Sequence, residues 1–97
     1  MRKPPDKQLL KAFGAEVKSR RASLGLSQEE LAHRAGLNRT FVGKLEVAQS
    51  QPSMTVLFQL ASALQLEASE LVAQIARRAA REARVARQVR TPSAVGR

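Results

Sequence analysis

The feature that most constrains this chain is a helix stop followed at once by a helix restart. Ser27 stands three residues before Glu30, the spacing at which a serine and a glutamate side chain each bond one of the free amides at a helix start. Leu26 and Leu31 flank this box as a hydrophobic staple. A helix therefore begins at Gln28. It runs only to about Ala35, because Gly36 offers the left-handed conformation that ends a helix. Asn38 then caps a second short helix, with Leu37 and Val42 again at staple spacing, and this one ends near Glu46 or Val47. Two helices joined by so short a turn must cross closely, and Ala32 falls where a larger side chain would push them apart.

The remaining segments also read as helices. Asp6, after Pro4 and Pro5, caps a first helix with apolar residues at Leu10, Phe13, Val17 and Leu24, ending at Gly25. Arg20 and Arg21 interrupt that stripe, so a partner is expected to draw at least one of them inward. Ser53 caps a fourth helix carrying Leu57, Leu60, Ala61 and Leu64. A fifth begins near Ala68 to Glu70, and nothing within Ala76 to Arg90 breaks it; Thr91 to Arg97 reads as a frayed end. On this helix Leu71, Val72, Ile75, Ala79, Ala83, Ala86 and Val89 share one side, and Arg77, Arg81 and Arg84 the opposite one. With 3% aromatic residues and no Trp or Tyr, the composition points to a core built from Leu, Val and Ala. The expectation is an all-α fold: a basic arm at 1–5, a compact five-helix domain at 6–75, and an Arg-rich extension at 76–97.

Seventeen Lys and Arg against eight Asp and Glu give a formal charge of +9, a balance that points to a polyanionic partner. The absence of Cys excludes disulfides and thiolate metal sites, and the single His33 makes no metal site. No run of 18 apolar residues and no signal-type apolar stretch is present, so the chain is read as cytoplasmic, without membrane association. No catalytic residue, cofactor or metal is expected, and the chain is read as a non-enzyme.

Function is read from the unit at 28–47, a helix-turn-helix arrangement. Leu31, Ala35, Leu37, Val42 and Leu45 form its interior, which leaves Arg39, Thr40, Gly43 and Lys44 on one outward face, with Asn38 at its head. Arg and Lys donate to guanine O6 and N7, Thr bonds either way or touches a thymine methyl, and Gly43 admits a close backbone approach. Gln28, beside the free amides of its helix start, suits a phosphate.

Taken in register, Phe13-Gly14, Val17, Arg21, Leu26 to Ala32, Ala35 to Leu37, Leu45-Glu46, Pro52-Ser53, Leu60-Ala61 and Leu64 resemble the phage-repressor-like (XRE-type, lambda-repressor-like) helix-turn-helix family. Leu37 to Val42 resembles the small controller proteins of restriction-modification systems. The resemblance implies a homodimer on a near-palindromic operator, with Gln28 contacting phosphate or base and Arg39, Thr40 and Lys44 reading bases. It also implies a buried ion pair between Arg21 and Glu46. Three features depart from the family: Val47 to Gln51 carries no charge, Gln65 replaces a usual Gly, which implies strain at the end of the fourth helix, and the Arg-rich extension past Ala76 lies outside the family core, so no role for it follows from the resemblance. The expected function is a sequence-specific double-stranded DNA-binding transcriptional regulator, a repressor or controller. The alternatives are an antitoxin whose extension wraps a toxin, or an RNA-binding or adaptor protein using its basic tail. Arg77, Arg81 and Arg84 are candidate phosphate contacts, and Leu71, Val72 and Ile75 are candidate dimer contacts.

Overall fold

The computed structural model describes the backbone of residues 6–95 and the side chains of residues 6–85. The arm at 1–5, the side chains of Ala86 and Val89, and Gly96 and Arg97 lie outside the described residues. Among the described residues, five helices follow in order: α1 Lys7–Ser23, α2 Gln28–Ala35, α3 Arg39–Glu46, α4 Met54–Ala63 and α5 Ala68–Val95.

Each of the first four helices starts on a side-chain cap. Asp6 Oδ1 accepts from Leu9 N at 3.1 Å, Asn38 Oδ1 from Thr40 N at 2.7 Å, and Ser53 Oγ from Val56 N at 3.1 Å. At α2 the box is reciprocal: Ser27 Oγ accepts from Glu30 N at 3.0 Å, while Ser27 N donates to Glu30 Oε1 at 2.8 Å. That backbone bond, reinforced by the Ser27 side chain, holds the Glu30 carboxyl below the usual carboxylate range.

The same four helices also end alike. After each, one residue turns left-handed and the next amide reaches back five residues: Leu26 N to Arg21 O, Leu37 N to Ala32 O, Gln49 N to Lys44 O and Leu66 N to Ala61 O, at 2.8 to 3.1 Å. This is the Schellman closure, which satisfies carbonyls the helix leaves open. Gly25 and Gly36 hold the left-handed position at two ends, but Ala48 (φ 62°) and Gln65 (φ 61°) hold it at the others. A Cβ there costs about 1–2 kcal/mol, so both turns are strained.

The core draws on every helix: Ala12, Phe13 and Val17 of α1, Leu31, Ala32 and Ala35 of α2, Val42 and Leu45 of α3, Leu60 and Ala61 of α4, and Leu71 and Ile75 of α5. Helix α1 lies against α3 and α5, while α2 packs on α3 and α4. Gly14 permits the crossing of α1 over the end of α3, since a Cβ there would come within 2.5 Å of Leu45 O.

Helix α5 differs from the sequence reading at its C-terminal end. It continues through Thr91 to Val95 in place of a frayed end, with Pro92 in its last turn although proline supplies no N–H to the helix. As the sequence reading expects, it passes 75/76 without a break, and Ala79, beyond the expected end of the compact domain at 75, still packs on the core. No single described helix is long and apolar enough to cross a membrane.

Candidate nucleic-acid interface

Helix α3 is gripped from behind. Val42 and Leu45 are fully buried, and the Glu46 side chain is 1% exposed. Arg21 reaches this carboxylate from α1 with a two-pronged fork, Nε to Oε2 at 2.6 Å and Nη2 to Oε1 at 2.9 Å, while Nη1 donates to Leu26 O at 2.8 Å. The bond to Glu46 raises the Arg21 pKa above its ordinary value, against the opposing pull of burial. Gln28 Nε2 adds a third donor to the Glu46 carboxylate, at 3.0 Å from Oε1. One buried carboxylate thus ties together α1, the start of α2 and the end of α3.

The opposite face of α3 is open. Arg39, Thr40 and Lys44 are exposed, Gly43 is half-buried between them, and Phe41 packs partly against the core. Asn38 is exposed, but its Oδ1 is taken by the cap, which leaves its amide nitrogen facing outward. Gln28 is half-buried and leans on α3. Its amide nitrogen is therefore engaged with Glu46.

Arg20 is drawn inward too: Nε donates to Leu64 O at 3.0 Å and Nη2 to Gln65 O at 3.4 Å. It caps the carbonyls at the strained end of α4. The sequence reading did not identify this role, nor the ion pair of Glu16 with Arg78 at 3.1 Å, which pins α5 to α1. A carboxylate among the apolar residues of α1 was the available signal, but its partner lies 62 positions away.

The candidate dimer contacts need correction. Leu71 is fully buried and Ile75 is 6% exposed within the subunit's own core, because α5 packs along α1 through this side. Neither presents surface to a second copy. Val72 is 47% exposed. Arg77, Arg81 and Arg84 are all exposed on α5.

A helix-turn-helix family model matches residues 17–71. A curated relative, an uncharacterised HTH-type transcriptional regulator y4dJ of Sinorhizobium fredii, is 34% identical over 62 residues, covering 64% of this chain and 80% of the relative. Among solved structures, the restriction-modification controller protein C.AhdI of Aeromonas hydrophila is 42% identical with a TM-score of 0.62, over 64% of this chain and 94% of that one. The clp gene regulator ClgR of Corynebacterium glutamicum is 25% identical with a TM-score of 0.82, over 91% of this chain and 94% of that one. The chain belongs to the helix-turn-helix family of DNA-binding regulators, of the XRE type.

Proposed function

We propose that this protein is a dimeric transcriptional repressor or controller that binds a near-palindromic operator, each subunit laying α3 in the major groove of one half-site. The observation that carries the reading is the two-sided character of α3. One side is locked into the core by Val42, Leu45 and Glu46, and the other exposes Arg39, Thr40 and Lys44 around Gly43. Those side chains have the donors and acceptors that base edges require. The likeness to a controller protein and to transcriptional regulators favours this reading over an antitoxin or an RNA-binding adaptor.

In this account the protein is a binding module and not an enzyme, and it works in the cytoplasm with duplex DNA as its partner. Arg77, Arg81 and Arg84 bind phosphates, supplying charge that the loop after Glu46 lacks. Val72 contributes to the dimer contact. Selection of bound sequences from random duplex DNA tests the reading. The expected result is one motif with approximate two-fold symmetry and half-sites about 34–36 Å apart or a multiple of that. Recovery of no preferred sequence would overturn it.

A further inference from the structure

We propose that Gly43 and the side-chain carbonyl of Gln28 form a notch that accepts the exocyclic amino group of a base, adenine N6 or cytosine N4. This rests on the DNA-reading role given to α3 above and takes the base-contacting side of the phosphate-or-base role that the resemblance leaves open for Gln28.

Chemistry fixes the polarity of the Gln28 amide. Its near neighbour is Glu46 Oε1, at 3.0 Å. A carboxylate accepts and does not donate, so the amide nitrogen must face it and the amide oxygen must face elsewhere. Glu46 cannot readily turn away, because it is buried and held by both prongs of Arg21. The oxygen so directed lies 3.6 Å from the place where a Cβ on Gly43 would stand. It therefore overhangs bare backbone on the outward face of α3.

Gly43 has no evident role inside the protein. It is a helix-interior residue without positive φ, and a methyl group there would meet only the Gln28 oxygen, at ordinary contact distance. Gly14 is different, since a Cβ there would collide with two backbone carbonyls. Glycine inside a helix weakens it relative to alanine, so the reason for Gly43 lies outside the subunit. A base edge approaching the backbone supplies that reason, and the oxygen beside the gap decides which edge. An acceptor repels phosphate oxygens and guanine O6 and N7, and it bonds the amines of adenine and cytosine. Arg39 and Lys44 offer donors only, so the notch gives α3 a complementary preference.

The test uses the full chain, the duplex selected above, and a set of duplexes with every base pair substituted singly. Gly43→Ala is expected to melt at or above the wild-type temperature. Gly43→Ala and Gln28→Met should each lose about tenfold discrimination at the same base pair of each half-site, one that offers an amine there. If that base is adenine, replacing it with 2-aminopurine, which removes the major-groove amine, should reproduce the loss in the wild type; a C·G pair at the position identifies N4. Equal weakening of all duplexes by Gln28→Met would overturn the proposal and make Gln28 a phosphate contact. So would unchanged binding by Gly43→Ala. A wild type that ranks all duplexes alike would instead remove the reading of α3 itself.

Discussion

Arg21 illustrates how one side chain can be both anchor and constraint. Its Nε and Nη2 meet the buried Glu46 carboxylate while Nη1 meets Leu26 O, so its position fixes the end of α3 against α1 and the turn before α2. Removing one member of a buried pair leaves the other charge uncompensated, and Gln28 alone does not neutralise Glu46. Arg21→Met is expected to lower stability by about 3–5 kcal/mol, read as a fall in melting temperature; an unchanged melting curve would contradict the structural role of the pair. Arg21 and Glu46 were legible as partners because they sit at matched family positions and because a charge interrupts the apolar stripe. Glu16 and Arg78 were not, since no local pattern links residues so far apart in the chain.

At the scale of elements, helix starts were legible because their signals are chemical. Asp6, Ser27, Asn38 and Ser53 each carry an oxygen that reaches a free amide. Helix ends were legible where glycine marks them, as at Gly25 and Gly36, or where a family glycine is conspicuously replaced, as at Gln65; the end of α3 near Glu46 or Val47 was legible too, but not the turn that closes it. Ala48 adopts the same left-handed turn with nothing in its side chain to announce it. Helix α5 carries a further expectation. Its Arg77, Arg81 and Arg84 stand exposed, whereas Arg78 is engaged with Glu16. Replacing those three with Gln, and sparing Arg78, should keep the fold and flatten the dependence of log K on log salt by about 0.9 for each phosphate no longer neutralised. A slope equal to that of the wild type would assign these arginines to solvent.

For the molecule as a whole, five helices follow from caps and apolar spacing, but how they assemble does not. Periodicity says that Leu71 and Ile75 are buried somewhere; only the packing of α5 on α1 shows that their own subunit buries them. The same packing carries the fold past residue 75, through Arg78 and Ala79, so the boundary between domain and extension is blurred inside one helix. In the proposed account the sequence-reading element is chiefly one short helix, α3, fixed at its back and open at its front. The most direct test of that claim compares wild type and Arg39→Ala on the selected operator and its single-base substitutions. A loss of about 1–3 kcal/mol on the preferred operator, together with relaxed preference at one base pair in each half-site, is the expected result. An equal loss on every duplex would contradict it and make Arg39 a contact to the phosphate backbone.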